Sequence, residues 1–210
     1  MFEKSGKFIV IEGLDGAGKT TQITLLEKYL TGLGRRVYVT AEPTSSPTGK
    51  ILREALAGTV KKTPCEMAAL FVLDRIGHNT DQTSGINKML ADGYDVICDR
   101  YYYSSLAYQG TETDFDWVKA MNIGCPEIRR PDLCIFLDLD PEKCIGRIAA
   151  GRTTTEIYEK REKLEKFRGT YMLVFGMLTD NVAVVDASGS IEATAENVNL
   201  AVRGILPLNI

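Results

Sequence analysis

Five short runs along the chain consist almost wholly of β-branched and other apolar residues: Phe8–Ile11, Val37–Thr40, Asp95–Cys98, Leu133–Leu137 and Val182–Val185. None alternates cleanly between apolar and polar positions, so each predicts a strand buried on both faces. Between them lie stretches with apolar residues at helical spacing, including Thr20–Thr31, Cys65–Ile76, Ser104–Gln109, Pro141–Ala150 and Thr155–Phe175. Strand–helix alternation of this kind predicts a parallel sheet with right-handed crossovers and helices on both sides. Chemistry in such a fold gathers at the carboxyl ends of the strands.

The first of those ends carries GLDGAGKTT, which matches G-x-x-x-x-G-K-[ST] from Gly13 through Leu14, Asp15, Gly16, Ala17, Gly18 and Lys19 to Thr20. Glycines at these places let the backbone wrap a phosphate with several N–H groups pointing inward. The following helix adds its positive N-terminal end. Lys19 supplies a mobile positive charge, and the Thr20 hydroxyl is suited to ligate Mg²⁺. A glycine-rich turn with no ligand is the bland alternative; the strand before it and the helix after it favour a nucleoside-triphosphate site.

Composition narrows the class. With 210 residues and a net charge of −3, the chain fits a single domain that lacks an electrostatic surface for nucleic acid. Its five cysteines are odd in number and never spaced C-x-x-C, which predicts reduced thiols in the cytoplasm. The apolar run before Gly13 is interrupted by Glu12 and is too short for a membrane span. A guanine-reading N-K-x-D motif is missing, since Asn87-Lys88 continues as Met89-Leu90. The D-x-x-G at Asp74–Gly77 ends a helical apolar run and reads as chance, so a GTPase switch is disfavoured.

A second strand end, in DVICDRYYYSSLAYQG, presents Asp99 and Arg100. A carboxylate there can hold Mg²⁺ through water beside Thr20, and the arginine falls where phosphates must lie. This string resembles the D-R-Y-x-x-S-S-L-A-Y-Q segment of thymidylate kinases. EPTSSPTGKILREAL, LFVLDRIGH, RPDLCIFLDLDPE and VVDAS follow in the family's order and spacing, so the resemblance covers nearly the whole chain. It implies a three-layer α/β/α P-loop kinase with a five-stranded parallel sheet and a lid at about residues 149–168. It also implies a cytoplasmic homodimer acting on ATP and dTMP with Mg²⁺, and no nucleic-acid or membrane partner.

Residue roles follow from the same resemblance. Residues 13–21, including Thr21, hold ATP, with Arg147 beside adenine and Arg152 aimed at the transferring phosphoryl group. Phe71 stacks on thymine, and Arg75, four residues on and so on the same helix face, donates to its O4. Ser105 and Gln109 meet the base edge, and Tyr108 lies beneath the sugar, where it disfavours a 2′-hydroxyl. Arg53 and Arg100 grip the acceptor phosphate, and Asp15 and Asp99 organise acceptor and metal. The sole histidine, His78, reads as a satisfied surface group. A nucleoside monophosphate, with a second pKa near ~6, is already a dianionic nucleophile and needs no general base. A deoxynucleoside kinase, which does want a carboxylate base and could use Glu42, is the alternative, along with other nucleoside monophosphate kinases. A third possibility is a catalytically idle nucleotide-binding protein. The chain departs from some relatives at Gly16 and at Ala41, where certain branches carry arginine. Those departures put charge neutralisation on the lid and the acceptor grip on Arg53 and Arg100.

Overall fold

The computed structural model describes residues 6–149 and 157–206. β1 (Phe8–Gly13) leads through α1 (Lys19–Gly32) to β2 (Val37–Ala41). The helices α2 (Pro47–Leu56), α3 (Pro64–Thr80) and α4 (Ile86–Ala91) precede β3 (Asp95–Asp99). Then α5 (Tyr102–Ala107), α6 (Gln109–Glu112) and α7 (Phe115–Ile123) lead to β4 (Leu133–Asp138). α8 (Pro141–Ala149) and α9 (Ile157–Met177) separate β4 from β5 (Val182–Asp186), and α10 (Ile191–Arg203) follows.

The strands form one five-stranded sheet in the order β2-β3-β1-β4-β5, and every neighbouring pair is parallel. This is the three-layer α/β/α P-loop architecture. β1 and β4 are apolar and buried almost along their whole length, as uninterrupted β-branched runs require when helices cover both faces. The expectation of two-sided burial fails at β2 and β5, where Val39 and Val184 stand exposed. Both are edge strands with a single neighbour and incomplete cover. Their sequences, VYVTA and VAVVD, give no sign of it.

Each strand also runs one or two residues past its apolar stretch. Ladder bonds pair backbone groups whatever the side chain, so Asp99 stays in register with Ile11 and Ala41. Beyond the strand ends, Arg100 N–H still donates to Ile11 O (3.0 Å) and Glu42 N–H to Asp99 O (3.0 Å). The backbone of two charged residues is thereby tied to the sheet. α2 is among the helices outside the stretches named above, and SSPTG marks its beginning. The Ser46 hydroxyl accepts from Gly49 N–H (3.0 Å), and Pro47 occupies the first turn. Among the described residues no helix is long and apolar enough to cross a membrane.

Candidate active site

Between β1 and α1 the chain closes into a loop that requires glycine at particular positions. Gly13 has φ 149°, and a Cβ there would stand 2.9 Å from Leu137 O; Gly18, at φ 101°, caps α1. Lys19 folds back under the loop, its Nζ donating to Gly13 O (3.0 Å) and Leu14 O (3.1 Å). Burial, together with the nearby Arg100, lowers its pKa against the pull of Asp99 and Asp15. Over the loop lies a cavity of about 400 Å³ lined by Asp15, Gly16, Gly18, Lys19, Thr20 and Thr21, with Asp99 and Arg100 behind them. Asp99 Oδ1 is buried there with no hydrogen-bond partner among the described residues, and burial raises its carboxyl pKa.

Arg100 turns the chain out of β3 in a left-handed conformation, φ 66°, that costs a non-glycine residue energy. The turn sends its guanidinium back across the strand ends. Nη2 donates to Asp15 Oδ1 (2.5 Å) and Nη1 to Ser104 Oγ (2.9 Å), with the Tyr108 ring 5.5 Å away. Although burial works the other way, Arg100 and Lys19 hold the Asp15 carboxyl below its usual pKa. A second cavity, of about 480 Å³, meets the first here, and Asp15 and Arg100 line both.

The second cavity has an apolar side and a donor-rich end. Phe71 and Arg75 face it from α3, Tyr108 and Gln109 from the α5–α6 junction, and Lys163 and Phe167 from α9. Tyr108 packs on Phe167 with ring centroids 4.2 Å apart, and its buried hydroxyl has no partner among the described residues. Arg75, 1% exposed, is held from behind. Its Nε donates to Glu42 Oε2 (2.8 Å), Nη2 reaches the same oxygen (2.6 Å), and Nη1 donates to Ser105 Oγ (3.2 Å) and to Asn122 Oδ1. A guanidinium has five N–H groups, so one Nη2 hydrogen is left over from these contacts, and Arg75 lines the cavity.

One expectation needs correction, and two expected site residues are placed apart from the second cavity. His78 is a buried link, not a surface group, bonded to Glu42 Oε1 (3.0 Å) through Nδ1 and to Thr40 Oγ1 (2.7 Å) through Nε2. Ser105 stands behind Arg75 and accepts from it, while Ser104 forms the cavity wall. Arg53 is not brought into the second cavity. It donates to the Pro43 and Thr44 carbonyls and lines a neighbouring cavity on the other side of Pro43. Of the two expected phosphate grips, the structure therefore brings Arg100 to the junction and leaves Arg53 outside. Asp74, from the D-x-x-G set aside as chance, holds the Thr44–Ser46 loop by accepting from Thr44 N–H (2.8 Å), Thr44 Oγ1 (2.6 Å) and Ser46 Oγ (2.8 Å).

On the far side of the loop, Arg147 Nη1 lies 3.4 Å from the Gly16 and Ala17 carbonyls. It walls a cavity of about 240 Å³ with Thr21, Gln22, Gly189, Ile191 and Thr194. Arg152 and the lid segment 150–156 lie outside the described residues. Sequence reasoning also missed Glu12, which is fully buried at the end of β1 under Arg100. The signal for it was a lone acid in an otherwise apolar central strand, which demands buried partners.

Residues 11–198 match the family profile described as thymidylate kinase. The "Probable thymidylate kinase" of Pyrococcus horikoshii is 39% identical over 193 residues, 89% of this chain and 91% of its own length. That of Pyrobaculum aerophilum is 38% identical, covering 95% of this chain and 97% of its own. The "Thymidylate kinase" of Desulfotalea psychrophila is 34% identical over 211 residues, 99% of this chain and 100% of its own.

Proposed function

This chain belongs to the thymidylate kinase family, and from that premise we propose its reaction: transfer of the γ-phosphoryl group of ATP to dTMP, giving ADP and dTDP. The observation that carries the reading is the meeting of two cavities, one over a phosphate-binding loop and one with an apolar side, at Asp15 and Arg100. Phosphoryl transfer is mostly positioning and charge neutralisation, and that junction is where the two must act.

On the donor side the loop amides and the N-terminal end of α1 cradle the phosphates, and Lys19, on the wall of the same cavity, supplies positive charge to them. Thr20 and Asp99 fit Mg²⁺: both offer oxygen to one cavity, and the unpartnered Asp99 Oδ1 is a buried acceptor waiting for a donor or a cation. When bound, Mg²⁺ neutralises charge on the donor phosphates. Arg147 flanks the adenine cavity, and Arg152 is assigned to the transferring group on the resemblance alone. On the acceptor side Arg100 takes the dTMP phosphate, Phe71 stacks on the base, and Gln109 meets its edge. The remaining Arg75 hydrogen suits thymine O4, and Tyr108 crowds the 2′ position. The resemblance and the five free thiols extend the proposal to a cytoplasmic homodimer.

Glu42 separates this reaction from that of a deoxynucleoside kinase. Both of its oxygens are engaged, one by Arg75 and one by His78, so it is not a free base for a sugar hydroxyl. Thymidine and dTMP offered in parallel with ATP should give ADP release with dTMP only. Turnover of thymidine, or of neither, would overturn the reading; turnover of neither is the result expected of an idle nucleotide-binding protein. Arg100→Ala should weaken dTMP binding by about 1.5–3 kcal/mol, the range for a hydrogen bond to a charged group, and leave ATP binding nearly unchanged. Titration calorimetry with each nucleotide checks it, and the reverse pattern would reject the assignment.

A further inference from the structure

Glu12 sits at the centre of the site and has no part in the reaction as described. Its carboxylate accepts four hydrogen bonds: Oε1 from Tyr101 N–H (2.8 Å) and Ser104 N–H (3.1 Å), Oε2 from the hydroxyls of Ser104 (2.8 Å) and Tyr171 (2.9 Å). The same two hydroxyls face Arg100, whose Nη1 lies 2.9 Å from Ser104 Oγ and 3.5 Å from Tyr171 OH. We propose that Glu12 is a positioning residue that, through Ser104 and Tyr171, fixes the Arg100 guanidinium where acceptor and donor phosphates meet.

The argument is one of proton direction. A hydroxyl has one hydrogen and can also accept. Ser104 and Tyr171 are 2.8 Å apart, so their protons reach the carboxylate directly or one through the other. Either way an acceptor-only group drains both protons to one side, and the oxygen lone pairs turn towards Arg100. An amide in place of Glu12 puts an NH₂ group against either backbone N–H donors, which cannot rotate, or the two hydroxyls. In the second arrangement the hydroxyls accept from the amide as well as from Arg100, and their aim is lost. Burial raises the Glu12 pKa, while Arg100 and the four hydrogen bonds favour the carboxylate, which gives the largely enclosed guanidinium a buried counter-charge besides Asp15.

The bland alternative is that Glu12 only caps the turn formed by Tyr101 and Ser104. The two differ in whether Glu12 acts through Arg100, which a double-mutant cycle reads directly. The inference rests on Arg100 as the grip on the dTMP phosphate. Steady-state kinetics would be run on wild type, Glu12→Gln, Arg100→Ala and the double variant. Glu12→Gln should lower kcat/KM for dTMP by about tenfold, mainly through KM, with KM for ATP changed less than about threefold. On the Arg100→Ala background the same change should cost less than about threefold. An equal loss in both backgrounds, or equal losses for dTMP and ATP, would overturn the inference. If Glu12→Gln fails to fold, Glu12→Asp, which keeps the charge but withdraws it from Ser104 and Tyr171, replaces it in the cycle and the same coupling decides. Wild type inert with dTMP would instead refute the reaction itself.

Discussion

Replacing Lys19 by methionine is expected to lower kcat by about 10²–10³-fold, the usual cost of removing one donor that stabilises transition-state charge. The ammonium has three hydrogens, and two of them bond to Gly13 O and Leu14 O at the base of the loop. The side chain lines the cavity proposed for the donor phosphates, and methionine keeps the length of the stem without the charge. Charge on the equatorial oxygens grows as the phosphoryl group departs, so the loss should fall on kcat and kcat/KM together. Single-turnover transfer at saturating ATP and dTMP measures it. A loss below about fivefold would make Lys19 a strut for the loop and nothing more.

The second large effect is on stability. Glu42→Ala is expected to reduce the unfolding free energy by about 3–5 kcal/mol, because it leaves a buried charge without its partner. Arg75 is almost wholly enclosed, and Glu42 takes two of its bonds while also holding His78. Against the roughly 5–15 kcal/mol that stabilises an ordinary domain, that is a large share. Combining Glu42→Ala with Arg75→Leu should recover much of the loss, since an apolar group no longer needs a counter-ion. On the proposed role of Arg75, the double variant should stay poor in choosing among bases, because the guanidinium lining the second cavity is gone. Urea unfolding of the three proteins separates the effects. A cost below about 1 kcal/mol for Glu42→Ala would show that water or Asn122 already satisfies Arg75.

The parts of the fold that depend on unbroken local pattern were legible in the sequence. β1, β3 and β4 announce themselves as apolar runs, and the loop between β1 and α1 does so by its glycines and Lys19. What escaped depends on which side of a wall a side chain falls. Ser104 and Ser105 are neighbours in sequence, yet one faces the cavity and the other backs Arg75. Arg53 lies on a helix near the site, but it lines a neighbouring cavity that shares only Pro43 with the second one. Glu12 and His78 escaped because the partners that make a buried polar group tolerable come from distant elements. Glu12 takes hydrogen bonds from residues 89, 92 and 159 positions away. A charge inside an apolar strand tells that such partners exist without telling which they are.

The measurement that bears most directly on the central claim is ADP release with ATP and a panel of acceptors: dTMP, dUMP, dCMP and UMP. If Arg75 presents its spare hydrogen to O4 and Tyr108 crowds the 2′ position, dTMP should have the highest kcat/KM. dUMP, lacking only a methyl group, should fall by about 10–200-fold, the range for one such contact. dCMP should fall by at least about 10²-fold, because its amino group meets a donor and leaves the spare Arg75 N–H without an acceptor. UMP should be poor on both counts. Equal kcat/KM for dTMP and dCMP would contradict the account.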